Sequence, residues 1–575
     1  MRRQSFRDLI EYYDYNMTIL AHSKRLSPHI ISGNHRVSPA LLLELNKGDK
    51  LSRTIQIPAP DDALVFQVLT EGIVDAVLSK APTKHAYFAR SHSTLKDIHT
   101  MDAPSLYPWF KIWPKYQTEI LDFTKANKYL VVTDILSYFD SVPHYALDRA
   151  LTRLNVSQWQ RDLILFMLEG FVQRPAYAPL TLRSIPQLDL DAPRLLSHVL
   201  LYPIDQYLER ATAGSFARWM DDINFGVDTK TSAKELLRNL ERMLARIELR
   251  LNARKTEILS RRDAEEYLHA KTNLELTAYK KLVGTKVEVS TIEHIYEDFI
   301  HFAEKESRTG RWDQVYRRYV NLIETTWKKH PDNASLKDLR AAIVDRLLVD
   351  FLNLSDYRTR QTIIRAWHEQ SPSRKALSFI VEQMYDIGKN DDVIALDLAS
   401  LLVSYQLTSA QQRNVLEDLT FDVIRPGEFF GTALVLCKYG KAETIYDFIV
   451  QTAPLWSVNE FLSRQIVAVW SIMSPGGRES EEAKRLMLEK VQRGPADLVR
   501  YFESLRSVTV MPAGLEGYVS PAKMTRPYTL AKTIVCSNLL RSLELPGQVR
   551  ERISKALEAI ADKRLRSLAL NIAHP

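Results

Sequence analysis

Acidic residues stand beside short apolar segments at two points of this 575-residue chain. Asp221 and Asp222 are adjacent within the strand-forming stretch 218–227, and Asp134 ends an apolar run that starts at Tyr129. Carboxylates delivered to one point from separate elements can hold two divalent cations about 3.5–4 Å apart, as phosphoryl and nucleotidyl transfer require. A pair of solvated acids in an ordinary turn is the simpler alternative for the adjacent acids.

The elements that must position these acids are predicted to be strands of one sheet. Residues 129–133 are a continuous apolar and β-branched run, typical of a buried strand, and Asp134 follows at its carboxyl end. The stretch 218–227 predicts a hairpin with two acids at its tip. Because side chains alternate along a strand, we expect Asp222 to face away from Asp134 and Asp221 to be the stronger ligand. The helices between these elements favour a mixed sheet with helices on one face.

Composition indicates a folded, mainly helical protein. Hydrophobic residues make up 45% and charged residues 26% of the chain, with 18 glycines, which favours helices. A net charge of +7 and a pI near 9.0 are compatible with a polyanionic partner. Cys437 and Cys536 lie far apart in apolar runs, which predicts buried thiols and excludes a disulfide framework. Without a recognisable leader or membrane-spanning run, we expect a cytoplasmic protein with no membrane partner.

The chain divides into three predicted parts. Residues 1–50 are expected to form short helices and loops without chemistry of their own. Residues 51–290 mix helices with strands, including one at 53–57 that stops at a proline and another at 281–289. From 291 to 575 amphipathic helices follow one another, interrupted by Pro and Gly, which favours an irregular α-solenoid.

Local signals predict several helix boundaries. Asp61 and Asp62 are expected to cap a helix over residues 63–78. Thr231 and Ser232 are expected to open another helix through a capping box. The aromatic residues between 101 and 127 predict a helix whose rings are either core or a platform for stacked bases.

Four short motifs occur in a fixed order along residues 134–256. They are Asp134-Ile-Leu-Ser-Tyr-Phe139, Pro186-Gln187, Trp219-Met-Asp221-Asp222 and Leu251-Asn-Ala-Arg-Lys255-Thr256. Together they resemble motifs A, B, C and D of reverse transcriptases, over about residues 50–290. Ala192-Pro-Arg194-Leu-Leu and the helical second half resemble the abortive-infection, AbiK-like type of bacterial reverse transcriptase, which carries a HEAT-like extension.

The resemblance implies an α+β fold. A right-hand polymerase palm and fingers would occupy residues 51–290, behind an N-terminal extension at 1–50. An all-α, HEAT-like helical-repeat domain would occupy residues 291–575. The implied activity is polymerisation of dNTPs into DNA with Mg²⁺, for which Mn²⁺ is an alternative ion.

The resemblance also assigns residues of the chemical step. Asp134, Asp221 and Asp222 would hold the metal ions, with Asp222 assisting. Lys255 matches the motif D lysine, a proton donor to the leaving pyrophosphate.

Further residues are implied to bind the incoming nucleotide. Phe139 matches the steric gate that excludes a 2′-hydroxyl, and Gln187 matches the residue near the sugar. The Ile135 carbonyl, at the nucleotide site, would be an extra ligand beside the metal-binding acids, and Arg53 and Arg90 are candidates for holding the triphosphate.

Two positions depart from the family pattern. Leu188 stands where a glycine normally follows the motif B glutamine, and its side chain is expected to crowd the template and nucleotide. Trp219 replaces the usual tyrosine of motif C.

Three functions remain open at the level of the sequence. An abortive-infection enzyme would act in anti-phage defence, make DNA without a supplied template, prime from a tyrosine hydroxyl so that the DNA stays attached, and form homo-oligomers. A conventional enzyme of a retron or mobile element would copy an RNA template, and adding an RNA or DNA template to the assay separates it from the first. A binding or scaffold protein would retain an inactive palm.

Overall fold

The structure is a computed structural model that describes most of the chain. The described residues are 8–10, 12, 15, 19–46, 52–88, 109–172, 182–188, 190–284, 288–304, 310–330, 334–354, 356–367, 391–405, 407–417, 419, 421, 425–491, 493–511, 515, 530–560 and 563–573.

Two strands near the N-terminus form an antiparallel pair, which we call the fingers hairpin. β1 spans Leu41–Asn46, β2 spans Ser52–Ile57, and Leu41 lies opposite Ile57. The strand predicted at 53–57 is confirmed. The expectation of only helices and loops in residues 1–50 is wrong, because Leu41, Leu43 and Leu45 alternate inward and are buried, as a strand with one buried face requires.

The second sheet is mixed, as predicted, and has the strand order β3-β5-β6-β4-β7. β3 and β5 run parallel, and the other neighbours are antiparallel. Its strands are β3 Ala86–Tyr87, β4 Tyr129–Asp134, β5 Phe216–Trp219, β6 Asp222–Val227 and β7 Glu257–Ser260.

Helices cover both faces of this sheet, not one face as predicted. On one face lies the largest apolar core of the first half, which includes Val131, Ile223 and Phe225. On the other face, Tyr116, Ile120 and Phe123 of a long helix pack on Leu130, Val132 and Ala217 of the strands. Because side chains alternate along each strand, the two faces of the sheet pack into two different apolar clusters.

Most of the described residues before 285 lie in helices. These are α1 Ile19–Ile31, α2 Pro60–Glu71, α3 Val74–Leu78, α4 Trp109–Ala126, α5 Tyr138–Ser141, α6 His144–Arg153, α7 Gln158–Phe171, α8 Asp191–Leu200, α9 Tyr202–Ala211, α10 Lys230–Ala245, α11 Arg261–Tyr267 and α12 Ala270–Gly284, with a 3₁₀ turn at Ala253–Lys255.

Several predicted boundaries are corrected. The helix predicted over 63–78 is two helices, separated at residues 72–73, and its N-cap is Ala59. Asp62 instead accepts a hydrogen bond from the Ser38 backbone N at 2.8 Å. The N-cap of α10 is Thr229, just before the predicted capping box.

The remaining described helices follow without an intervening strand among the described residues. They are α13 Val289–Glu304, α14 Trp312–Lys329, α15 Lys337–Asn353, α16 Tyr357–Trp367, α17 Asp392–Ser404, α18 Ser409–Glu417, α19 Pro426–Tyr439, α20 Ala442–Gln451, α21 Ala453–Trp456, α22 Glu460–Ser471, α23 Arg478–Lys490, α24 Arg493–Arg506, α25 Leu530–Leu540, α26 Gly547–Glu558 and α27 Lys563–Ala573, with a 3₁₀ turn at Ala334–Leu336. The strand predicted at 281–289 is wrong, since residues 281–284 end α12 and residue 289 begins α13.

The fingers hairpin packs into the core of the second half. Leu43 and Leu45 belong to the same apolar cluster as Phe430 and Trp470. The unpaired edge of β1 is satisfied by side chains, because the Glu44 backbone N donates to Asp392 Oδ2 at 2.7 Å. In the same way, the Asn46 backbone N donates to Asp391 Oδ2 at 2.9 Å.

The N-terminal residues lie in the same core. Asp8 and Arg464 form an ion pair of 2.8 Å in which both side chains are fully buried, and the Leu9 backbone N donates to Gln465 Oε1 at 2.7 Å. Cys437 and Cys536 are buried and form no disulfide, as predicted. Among the described helices, none combines the length and the apolar character needed to cross a membrane.

Candidate active site

The two adjacent acids lie at a tight turn of the sheet. Trp219 of β5 pairs with Asp222 of β6, so Met220 and Asp221 form the connecting two-residue turn. The predicted hairpin is confirmed. Met220 has a φ of +56°, a left-handed conformation that costs a non-glycine residue about 1–2 kcal/mol. Neighbouring contacts must therefore hold the turn in place.

Arg218 supplies that support from beneath. Its guanidinium is buried and donates to both carboxylate oxygens of Asp205 at 2.6 Å and to the Met220 carbonyl at 2.8 Å. Burial disfavours the charge of Arg218, but Asp205 outweighs it and raises the pKa of Arg218. Sequence reasoning missed this pair, although an arginine within an apolar strand was an available signal.

The register of the sheet brings Asp134 to the turn. Asp134 of β4 lies directly opposite Asp222 of β6, and opposed residues of antiparallel strands share a face. Buried Leu130 and Val132 occupy the same face of β4. The expectation that Asp222 faces away from Asp134 is therefore wrong. Asp221 lies in the turn, where strand alternation does not apply.

The three carboxyl groups influence one another electrostatically. Burial raises the pKa of Asp221 to about 7, and the charges of Asp222 and Asp134 add to this rise. Burial also raises the pKa of Asp222, with Arg311 opposing it. Within the described part of the chain, no hydrogen-bond partner reaches the buried Oδ1 of Asp134. A buried carboxylate oxygen without a partner, beside two further carboxylates, favours the binding of a cation.

Lys255 approaches the acids from the neighbouring loop. Its Nζ lies 2.5 Å from Asp134 Oδ2. The Asn252 backbone N donates to the Asp134 carbonyl at 2.7 Å, which docks the loop on the end of β4. Burial opposes the charge of Lys255, but the hydrogen bond to Asp134 outweighs it and raises the pKa of Lys255. A protonated amine is thus held at the edge of the acid cluster.

Two predicted nucleotide contacts, Phe139 and Gln187, lie near each other. The Ile185 backbone N donates to the Phe139 carbonyl at 2.8 Å, and Gln187 Nε2 lies 3.4 Å from Asp140 Oδ1. The Phe139 ring is partly exposed and packs on the core of the first half. The side chain of Ile135, by contrast, is buried.

Of the two arginines predicted to hold a triphosphate, Arg53 lies within the described residues and Arg90 does not. Arg53 lies on β2 opposite Leu45, and its strand reaches the site through the Gln56 backbone N, which donates to the Gln187 carbonyl at 3.2 Å. Among described contacts, none joins the Arg53 side chain to the three aspartates. Arg90 lies outside the described residues.

Comparison with protein families decides what this arrangement is. Residues 46–281 match the family model described as reverse transcriptase (RNA-dependent DNA polymerase). These residues form a reverse transcriptase domain. A domain of this family indicates an RNA-directed DNA polymerase, which is a nucleotidyltransferase. A search of curated proteins found no match.

Reverse transcriptases generally use divalent metals such as Mg²⁺, so the acidic residues of the site must be able to bind such an ion. No group of three acidic, histidine or cysteine side chains forms a ready-made metal cage among the described residues. Mg²⁺ commonly takes only one or two carboxylates and completes its shell with water and substrate phosphates. The partnerless Oδ1 of Asp134, beside the carboxylates of Asp221 and Asp222, fits that demand.

The two departures from the family pattern have structural explanations. Leu188 is 6% exposed and packs in the core of the reverse transcriptase domain, so its side chain does not enter the cleft, contrary to our expectation. Trp219 packs against Trp113, with 4.9 Å between ring centroids, and against fully buried Tyr116. The described aromatic residues of α4 therefore act as core.

Proposed function

We propose that the reverse transcriptase domain joins dNTPs into DNA with Asp134, Asp221 and Asp222 as ligands of two Mg²⁺ ions. The sheet register carries this proposal, because it opposes Asp134 to Asp222 and places Asp221 in the adjoining turn. Bound Mg²⁺, or Mn²⁺ in its place, would supply activation of the attacking hydroxyl and neutralisation of the leaving pyrophosphate.

The side chains around the acids have distinct proposed roles. Lys255, protonated and half-exposed, donates a proton to the leaving pyrophosphate. Phe139 lies beneath the sugar and excludes a 2′-hydroxyl, and Gln187 contacts the nucleotide beside it. Their proximity at the Phe139–Ile185 hydrogen bond supports a shared sugar site.

The test of the acid cluster is Asp221→Ala. We expect dNTP incorporation to fall by about 10³-fold or more, equivalent to about 4 kcal/mol of transition-state stabilisation, with an unchanged circular dichroism spectrum. Asp162→Ala, at an exposed acid on α7, is the matched control and should incorporate dNTPs as the wild type does. Undiminished incorporation by the Asp221 variant would refute the assignment.

The test of the sugar site is Phe139→Ala. Removing the ring opens space for a 2′-hydroxyl, so we expect the preference for dNTPs over rNTPs to fall by about tenfold or more. Phe139→Tyr keeps the ring and should retain the preference. The ratio of kcat/KM for the two substrates measures the effect, and an unchanged ratio in the alanine variant means that Phe139 is not the gate.

We further propose that the enzyme is of the abortive-infection type and acts in anti-phage defence. In support, the described chain is helical from the end of β7 onward, which leaves room for a HEAT-like extension in place of a short thumb. Such an enzyme would make DNA without a supplied template, keep it covalently attached to a tyrosine, and form homo-oligomers.

Among the tyrosines that the structure describes, Tyr267 is our candidate for that primer. Burial raises the pKa of Tyr267, Arg311 opposes the rise, and the charges of Asp222 and Lys255 also act on it. Its side chain is partly exposed. Burial and the charges of the site's aspartates also raise the pKa of Tyr116 and of Tyr138, but both side chains are buried. Accessibility to a nucleotide therefore favours Tyr267.

Labelled dNTPs test template dependence and priming together. With Mg²⁺ and no added nucleic acid, label should stay on the protein through denaturing electrophoresis. Tyr267→Phe should remove it, while Tyr145→Phe, at an exposed tyrosine of α6, should not. Label that appears only with an added RNA template, and leaves the protein on denaturation, would establish the conventional enzyme instead. No incorporation under either condition would indicate an inactive scaffold.

A further inference from the structure

The helical region reaches the polymerase site at the residues that precede α14. The Arg311 backbone N donates to the Tyr267 carbonyl at 3.0 Å, at the end of α11. Gly310 has a φ of +59°, and a Cβ at this position would collide with the same carbonyl. Glycine alone permits both the backbone conformation and the close approach. The segment is therefore fitted closely to the palm.

The side chain of Arg311 lies on the face of the sheet that carries the acids. Its Cζ is 6.0 Å from the ring centroid of Tyr116. The Tyr116 hydroxyl accepts a hydrogen bond from Asn224 Nδ2 at 2.7 Å. Asn224 follows Asp222 by two positions on β6, so the two side chains share a face. Asp134 is on this face as well.

The guanidinium of Arg311 acts on Tyr116. Burial raises the pKa of Tyr116, and the charge of Arg311 opposes the rise. Trp219 of β5 pairs with Asp222 and packs on Tyr116, so the preceding residue, Arg218, points to the opposite face of the sheet. Arg311 therefore approaches the face that carries Asp222 from the side opposite the buried pair of Arg218 and Asp205.

We propose that Arg311 is a positioning residue of the polymerase site, which holds Tyr116 on the face of the sheet that carries Asp222 and makes the site depend on the docked helical region. This inference rests on the proposed function for the role of Asp222 in cation binding. It adds a residue that lies beyond the reverse transcriptase domain, whose match ends at residue 281. The palm would then be incomplete without the segment at residues 310–311.

Arg311→Met tests the proposal in the full-length protein. Loss of a neighbouring positive charge should tighten the binding of Mn²⁺ to the acids, while loss of the guanidinium leaves Tyr116, which is not a ligand of the ion, poorly held against the sheet. We expect the dissociation constant for Mn²⁺ alone, from the electron paramagnetic resonance signal of the free ion, to fall about threefold or more. We expect kcat to fall about tenfold or more, with the KM for dNTP within about twofold of wild type.

Two further variants separate positioning from folding. Arg318→Met removes an arginine of α14 that contacts Asn273 and Thr277, away from the acids, and should leave Mn²⁺ binding and kcat unchanged. Arg311→Lys keeps the charge and loses the planar fork, so Mn²⁺ binding should match the wild type while kcat falls only partly. Weaker Mn²⁺ binding in Arg311→Met, or unchanged Mn²⁺ binding and kcat, would overturn the proposal.

The Mn²⁺ titration also distinguishes this inference from the proposed function. If the wild type binds Mn²⁺ but incorporates no dNTP, the polymerase assignment fails, and the comparison of Arg311→Met with Arg318→Met still decides whether Arg311 governs the acids. If Gly310→Ala shows the same combination of tighter Mn²⁺ binding and lower kcat, the docking of the segment is confirmed as the cause. A wild-type response of Gly310→Ala in both measurements would contradict a requirement for close docking.

Discussion

Two contacts between the helical region and the first half of the chain are built on different physical principles. At the fingers hairpin, Leu43 and Leu45 enter an apolar core of the helical region, and the nearby pair of Asp8 and Arg464 is fully buried. At the palm, the described contact includes a backbone hydrogen bond from Arg311 and a guanidinium beside the acids. The first contact contributes stability, and the second places a positive charge near the acids.

The first contact anchors the helical region to the first half of the chain, and the second influences the chemistry of the acidic site. Apolar burial contributes free energy in proportion to area but has little directional preference. A guanidinium beside a carboxylate contributes little net stability, yet its position determines the field at the neighbouring groups. Mutations at the fingers hairpin should therefore change unfolding, and mutations at the palm contact should change catalysis.

The largest effect on stability is expected for Arg464→Met. It leaves the Asp8 carboxylate buried without its cation, which should lower the free energy of unfolding by about 3–5 kcal/mol. The midpoint of urea denaturation measures the loss. Adding Asp8→Leu removes the stranded charge and should recover most of it. A loss below about 1 kcal/mol in the single variant would mean that the pair does not anchor the N-terminus.

Leu43→Ala should have the next largest effect. The side chain is 1% exposed, so truncation removes buried surface and leaves a cavity, at about 2–4 kcal/mol. Leu20→Ala, at a side chain that is 76% exposed, is the control and should stay within about 0.5 kcal/mol of wild type. Equal losses in the two variants would show that the hairpin is not anchored in the helical core.

Glu460 should make the anchoring contact sensitive to pH. Burial raises the pKa of Glu460 to about 7, Arg464 opposes the rise, and the charges of Asp61 and Asp62 add to it. The protonated form is favoured in the folded state, so its stabilising contribution is full below the unfolded pKa of about 4.3 and is lost as the pH rises through about 7.

Glu460→Gln removes that titration. We expect the variant to be about 1–2 kcal/mol more stable than wild type at pH 8, a value reduced for the partial exposure of the side chain, and equal to it at pH 4. Urea denaturation at both pH values checks the prediction. A constant difference between the two proteins across this range would contradict it.

The smallest effect on stability is expected for Gly310→Ala. A left-handed alanine costs about 1 kcal/mol, and its Cβ would collide with backbone atoms of Tyr267, so the segment must move away from α11 and lose this local contact while the anchoring core stays intact. The melting temperature should therefore fall by only a few degrees, although kcat falls. A stability loss as large as that of Leu43→Ala would place Gly310 among the anchoring residues and erase the distinction between the two contacts.

Local patterns were sufficient to predict the central strands of the sheet. The run at 129–133 and the stretch 218–227 are strongly apolar and short, and their register follows once the turn is known. The fingers strand β1 was missed because its buried partners lie in the helical region, hundreds of residues away. The false strand at 281–289 arose from alternating residues that tertiary packing placed in helices.

Charged groups were the least predictable part of the candidate site. Motif spacing brought Asp134, Asp221 and Lys255 into consideration, and the structure places all three together. The support by Arg218 and Asp205 depends on burial, which neither residue type suggests. Arg311 follows no motif and lies beyond the matched domain, so only the three-dimensional contact with Tyr267 reveals it.

The position of Asp8 in the helical core also constrains the order of synthesis. Its contact with Arg464 spans 456 residues, so a nascent chain carries the first residues unpaired until most of the protein has emerged. At about 5–20 residues per second this interval is roughly 20–90 s. During that time the edge of β1, later covered by Asp391 and Asp392, is open to pairing with other strands. Chaperone binding to the first 57 residues would protect the chain on the ribosome.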